Sequence, residues 1–181
     1  MRRSSSICRN SPRILLAAAV RKYSLLAMSD DDLLRQCRFE ACRGVGPGGQ
    51  KRNKTSTAAR VTHLESGLSA WDDATRSQHQ NLRHALRKLR WEMAVNLRPE
   101  AGEAAPEIAL SPVPKQGSPE FLLWMGRIFD ALFDAEFQMA TAAERLGCSA
   151  SQLTRLLGKD DLAWQKLAEA RQKRQLPPLH R

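Results

Sequence analysis

Between Arg43 and Thr55 the chain reads Arg-Gly-Val-Gly-Pro-Gly-Gly-Gln-Lys-Arg-Asn-Lys-Thr, four glycines and a glutamine running into a cluster of cations. Gly44, Gly46 and Gly49 satisfy the GxGxxG spacing of a dinucleotide-binding turn, so that chemistry is weighed first. The residues that follow exclude it: Lys51-Arg52-Asn53-Lys54 is a solvated basic run where such a turn needs an apolar helix. Gln50 also separates Gly49 from Lys51, which removes the Gly-Lys step of a nucleoside-triphosphate loop. What remains is a main chain able to approach a substrate closely. Gly48 and Gly49 lack Cβ atoms, so they can take up positive φ and present N–H groups where a side chain would clash. Pro47 narrows the backbone before them. Gln50 has no charge to give or take and cannot serve as a general base; it can hydrogen-bond, place a water and exclude bulkier nucleophiles.

The surrounding charge points to a polyanion. The 181 residues carry a net charge of +10, and the charge is segregated: residues 38–98 sum to +7 and residues 99–170 to −5. A basic middle beside an acidic region is better explained by a surface that meets phosphates than by solvation alone. Other chemistries find little support. Cys8, Cys37, Cys42 and Cys148 form no CxxC pair, and His63, His79, His84 and His180 are scattered, so neither a disulfide framework nor a structural metal is expected. Ser77 and His79 stand two apart on a helix and point to different faces, which is no nucleophile and base pair. His63, near a strand end, is expected to be a packed or hydrogen-bonded histidine.

The elements that must position the loop are legible in outline. Cys37–Cys42, Ala58–Leu64 and Leu68–Trp71 suit short strands, with Glu65-Ser66-Gly67 turning between the last two. Residues 76–98 read as a helix with Leu82, Leu86, Leu89, Met93 and Leu97 on one stripe and Arg83, Arg87 and Arg90 on an adjoining face offered to phosphate. Prolines break up 99–119, which reads as a linker. Ser118-Pro119-Glu120 then opens a helix carrying Phe121, Trp124, Met125, Ile128, Phe129, Leu132 and Phe133. Ala143, Gly147 and Leu153 have helix-turn-helix spacing, with Leu146 closing the first helix and Ser149 and Gln152 forming a capping box for the second. A last helix spans Asp160 to Arg174 and runs into a basic tail of Arg171, Lys173, Arg174 and Arg181. The expected class is α+β: a small mixed sheet with an exposed glycine-rich loop and a long packing helix, then a small all-α module. The expected divisions are a disordered basic extension 1–27, the sheet-and-loop domain 28–98, the linker 99–119, the helical module 120–174 and the tail 175–181.

Residues 43–81 resemble the catalytic domain shared by class I peptide release factors and codon-independent ribosome rescue factors. The resemblance rests on Arg43, Gly46, the Gly48-Gly49-Gln50 triplet, Asn53-Lys54, Ala58, Arg60, Thr62-His63, Ser66-Gly67, Arg76-Ser77-Gln78 and Asn81, in order and without insertion. It implies that Gly48, Gly49 and Gln50 are catalytic, entering the peptidyl transferase centre of the ribosome so that the Gln50 N–H stabilises charge developing as water cleaves the peptidyl-tRNA ester. It also implies contacts to ribosomal or transfer RNA by Arg43, Lys51, Arg52, Lys54, Arg60, Arg76 and Gln78. Members of the family are methylated on this glutamine, so a glutamine methyltransferase is an implied partner beside the ribosome. Arg52 departs from the pattern, standing where an apolar residue is usual.

Only 27 to 37 residues precede this segment, which leaves no space for a stop-codon-reading domain; codon-independent hydrolysis of peptidyl-tRNA on stalled ribosomes is therefore the expected activity. The alternatives are a non-catalytic ribosome- or RNA-binding protein that uses the same domain for docking and, more remotely, a regulator that binds DNA through residues 120–174. A monomer without cofactor or metal is expected. No apolar run approaches the ~20 residues that span a bilayer, so no membrane partner is expected. The compartment is cytoplasmic, or mitochondrial if the Arg- and Ser-rich, acid-free residues 1–27 are a transit peptide.

Overall fold

The computed structural model describes residues 21–43, 57–103, 105–107 and 109–180. Helix α1 (Lys22–Ala27) and α2 (Asp30–Arg35) lead into strands β1 (Cys37–Cys42), β2 (Ala58–His63) and β3 (Ser69–Asp72), followed by α3 (Gln78–Asn96). Then come α4 (Pro119–Asp134), α5 (Met139–Arg145), α6 (Ala150–Leu157) and α7 (Asp161–Lys173). The α+β class is the expected one, with a sheet ordered β1-β2-β3 and antiparallel in both pairings rather than mixed.

Alternation along β2 decides which face is covered: Ala59, Val61 and His63 are buried while Arg60 and Thr62 are half-exposed. The covered face packs on α3, whose Ala85, Leu86, Leu89 and Met93 are buried, together with Leu25, Leu26 and Leu33. Expected helix boundaries of 76 and 98 contract to 78 and 96 because Ser77 caps the first turn, its Oγ accepting from the Gln80 N–H. Of the arginines expected to face phosphate, Arg83 and Arg87 are exposed, but Arg90 is not. Its guanidinium donates to the carbonyls of Leu25 (3.1 Å), Leu26 (3.2 Å) and Met28 (2.7 Å) and to Asp30 Oδ1. It thus satisfies carbonyls that the end of α1 leaves without helical partners.

Those contacts also move the boundary expected at residue 27. Lys22–Ala27 is a helix with four buried residues, Lys22, Tyr23, Leu25 and Leu26. The Glu103 carboxylate accepts from the N–H groups of Tyr23 (2.8 Å) and Ser24 (3.2 Å), placing negative charge at the positive end of α1. A Lys-Tyr pair within an acid-free basic stretch carries no periodic signature of burial; its partner, Asp130, lies over a hundred residues away.

Residues 119–173 form the second core. Ser118 Oγ accepts from the Phe121 N–H at 3.2 Å, Pro119 starts α4, and Trp124, Met125, Ile128, Phe129 and Leu132 are buried. The Ser149–Gln152 capping box opens α6 as expected, and Gly147 makes the turn before it at φ +67°. The basic tail is partly reassigned. Arg171 is buried, donating to the Phe137 carbonyl at 2.5 Å and the Pro177 carbonyl at 2.8 Å, and Arg174 stacks over the Phe137 ring at 4.4 Å. Phe137 and Glu136 both have positive φ in the α4–α5 turn, so these contacts hold a strained corner. Two of the four tail cations are thereby engaged within the fold instead of being presented to a polyanion.

Candidate functional site

Gly48, Gly49 and Gln50, with Lys51, Arg52 and Lys54, lie outside the described residues. Both ends of the segment that carries them are described, and they meet. Cys42, the last residue of β1, pairs with Ala58, the first of β2, so Arg43 and Thr57 leave the same end of the sheet. A six-residue antiparallel ladder between β1 and β2 fixes that exit.

The exit is clamped by Asn81, a fully buried residue of α3. Its amide nitrogen donates to the carbonyls of Thr57 and Thr75, both at 2.8 Å, and its Oδ1 accepts from the Thr75 N–H and the Thr75 hydroxyl, both at 2.9 Å. One side chain therefore joins the start of β2, the β3–α3 turn and the first turn of α3. Thr75 Oγ1 also accepts from the Ser77 N–H. Asparagine suits this place because it offers two donors and an acceptor on one planar group. It stands in the string that carries the resemblance, yet its clamping role is invisible in sequence because Thr57 is 24 residues away.

The clamp gathers several sequence-designated residues at one end of the domain. Arg43 is exposed beside the exit, Arg76 and Gln78 are exposed where α3 begins, and Arg60 lies two residues into β2 on the uncovered face. Ser77 serves as the helix cap, its Oγ accepting from the Gln80 N–H. Among the described residues no cluster of three potential metal ligands occurs, and no helix is long and apolar enough to cross a membrane.

Two further polar groups stiffen the platform. Asp72 is buried at the end of β3, 2.6 Å from Lys88 Nζ and 3.3 Å from His84 Nδ1, and accepts from the Ala74 N–H. Burial alone would raise its carboxyl, but Lys88, the Ala74 N–H and His84 together hold it below the usual carboxylate range. His63 has no exposed surface, and its Nδ1 accepts from the Ser66 N–H at 3.2 Å and contacts Ser66 Oγ at 2.9 Å. Burial lowers its pKa from the ordinary 6.5, with Glu65 opposing more weakly. The unfolded chain then binds a proton at His63 more readily than the folded one. Its contribution to stability is full above pH 6.5 and is lost as pH falls below that value. Urea midpoints between about pH 7 and pH 5.5 should decline, and His63→Gln should flatten the decline; an unchanged pH slope in that variant would remove His63 as its source.

Residues 31–111 match the RF-1 domain family model. The chain is 48% identical over 56 residues to a peptide chain release factor homolog of Escherichia coli, covering 31% of this chain and 28% of that protein. It is 34% identical over 148 residues to peptide chain release factor 1 of Verminephrobacter eiseniae, covering 81% of this chain and 38% of the relative. With peptide chain release factor 2 of Paramagnetospirillum magneticum it shares 39% identity over 72 residues, 38% of this chain and 19% of the relative. The chain thus spans well under half the length of these curated relatives. No solved structure matches it.

Proposed function

We infer, from a chain whose residues 31–111 are a class I release-factor-like domain, that it hydrolyses peptidyl-tRNA on the ribosome without reading a stop codon. The observation that carries this reading is that the family match spans the Gly48-Gly49-Gln50 segment, which leaves from the paired ends of β1 and β2, with Asn81 holding the Thr57 side. A loop held rigidly at its base can deliver a main-chain N–H to an ester fixed by RNA, where it stabilises the developing oxyanion. Water is the attacking species, and Gln50 positions it. Arg43, Lys51, Arg52, Lys54, Arg60, Arg76 and Gln78 supply charge and hydrogen bonds to the RNA around the ester. Gln50 is also the residue a glutamine methyltransferase would modify.

The helical module beyond the matched domain is joined to it. Residues 119–173 fold as a helical module packed on α3, the helix that also backs the sheet, and Arg98 and Lys22 both reach Asp130 of that module. The test is a release assay on purified ribosomal complexes holding peptidyl-tRNA, with the messenger either ending in or extending through the decoding site. Peptide release at non-stop codons, and faster release when the entry channel is empty, is the expected result. Release only at stop codons would replace rescue by codon reading, and binding without release would replace hydrolysis by docking.

A further inference from the structure

Strand β1 is an edge of the sheet, since the order β1-β2-β3 gives it one neighbour. The Leu64 N–H donates to the Gln36 carbonyl at 3.1 Å and the His63 N–H to the Leu68 carbonyl at 2.8 Å, so Leu64 faces β1 and His63 faces β3. Alternation then turns the main-chain groups of Thr62 and Arg60 toward β1, where they meet Arg38 and Glu40. The N–H and C=O groups of Cys37, Phe39 and Ala41 point the other way, off the sheet. Among the described residues no other strand or loop takes them up. Such edges are commonly guarded by a lysine, a proline or a bulge. At the opposite edge the Trp71 carbonyl accepts from Lys88 at 3.3 Å. Cys37–Cys42 has no lysine or proline, its register with β2 is continuous, and Arg38, Phe39, Glu40 and Ala41 are exposed.

The side chains on this edge select a partner. Phe39 stands opposite Val61 on the face that packs on α3, yet it is 40% exposed. Arg38 and Glu40 share the uncovered face with Thr62 and Arg60, and among the described residues neither forms an ion pair. An antiparallel copy of the same strand can meet this edge about a two-fold axis placed on one residue. Centred on Arg38 or on Glu40, the pairing sets two like charges directly opposite each other, which is destabilising. Centred on Cys37 or Ala41, it shortens the ladder and leaves Arg38 and Glu40 unmatched. Centred on Phe39, it sets Arg38 of each copy opposite Glu40 of the other and brings the two Phe39 rings together. The residues with outward main-chain groups then form the hydrogen-bonded pairs, Phe39 with its own copy and Cys37 with Ala41 of the second copy. Main-chain geometry and charge agree on this one register, and a two-fold contact requires a self-complementary patch of this kind.

We propose that the protein self-associates through β1, the strands of two copies pairing antiparallel about Phe39 to make one six-stranded sheet. The two Cys42 residues, from which the glycine-rich segments leave, then lie at opposite ends of the joined strands. The pairing does not draw on the release reading. A single short ladder makes a small interface of the weak, reversible class, with an expected dissociation constant on the order of 10 μM. The monomer expected from sequence is then the dilute form.

The test is sedimentation velocity of the full chain from roughly 1 to 100 μM, which brackets the expected constant. The weight-average mass should rise from 20.3 kDa toward twice that value. Amide exchange at Phe39 and Ala41 should slow as concentration rises, while Arg38 and Glu40, bonded to β2, stay protected throughout. Arg38→Glu faces only Thr62 within its own sheet. It should weaken association roughly 10-fold, because symmetry places two carboxylate pairs in opposition. Glu40→Arg should do the same with guanidinium groups. An equimolar mixture of the two variants should associate about as well as wild type, since every opposed pair again holds one charge of each sign. Circular dichroism identical to wild type is required of both. The proposal is overturned by a 20.3 kDa species over the whole range, or by Arg38→Glu associating like wild type. A mixture no heavier than either folded variant alone, or a dimer with unchanged exchange at Phe39 and Ala41, would overturn it too. Gln50→Ala should self-associate normally, so failure of release and failure of this contact are read separately.

Discussion

Replacing Gln50 by alanine is expected to slow peptide release by on the order of 100-fold, because it keeps the main-chain N–H but removes the side chain that places the attacking water, while the urea midpoint stays where it is. The separation of the two effects follows from the architecture. The ladder from Cys37–His63 to Cys42–Ala58, the Asn81 clamp and the α3 packing all lie at or below the base of the segment. None of them requires the Gln50 side chain. Affinity for the ribosome should also change little, because the cations at Arg43, Arg60 and Arg76 remain. The measurement is a single-turnover release rate at saturating protein, with binding followed independently. Loss of release with binding retained is the expected pattern; a variant that releases peptide at the wild-type rate would show that Gln50 takes no part in the hydrolysis.

Gly49→Ala should act by a different route. A methyl group at Gly49 would restrict the backbone that brings the N–H to the ester and would crowd the approach, so its effect should appear even with Gln50 intact. Asn81→Ala would act through position rather than chemistry. It leaves the Thr57 and Thr75 carbonyls and the Thr75 N–H without their partner, loosening the root of the segment.

What could be read from sequence divides along physical lines. Local signals were sufficient for the strands, for α3 and for the caps at Ser118 and Ser149, because alternation, helical spacing and capping side chains act over three or four residues. The glycine segment is likewise a local reading, and it lies outside the described residues. Arg90, Arg171 and Lys22 were misjudged for a shared reason: each is a cation on a polar-looking stretch whose burial depends on carbonyls or a carboxylate distant in sequence. Arg90 needs the end of α1, Arg171 needs the Phe137 corner, and Lys22 needs Asp130. A guanidinium bound to carbonyls and one facing solvent look identical in a linear sequence.

The ion cluster around Asp130 joins α1 to the helical module, and the second large effect is expected there. Asp130 Oδ1 lies 2.7 Å from Lys22 Nζ, its Oδ2 accepts from the Tyr23 hydroxyl at 2.6 Å, and Arg98 stands 3.6 Å away. Lys22 has no exposed surface and also donates to the Gly126 carbonyl. Burial pushes the Lys22 ammonium down and the Asp130 carboxyl up, and the contact between them offsets both. Asp130→Ala should therefore destabilise the protein by about 3–5 kcal/mol, because it strands an ammonium and a phenol in a dry site. That is a large share of the roughly 5–15 kcal/mol that holds an ordinary domain together. Lys22→Met should cost less, since Asp130 keeps Tyr23 and Arg98. Adding Lys22→Met to Asp130→Ala should recover much of the loss, because a methionine fills the space beside Gly126 without demanding a counter-charge. Urea unfolding of the four proteins measures the coupling. A penalty below about 1 kcal/mol for Asp130→Ala would mean that the cluster behaves as an exposed pair and that α1 is not what fastens the helical module to the domain bearing the Gly48-Gly49-Gln50 segment.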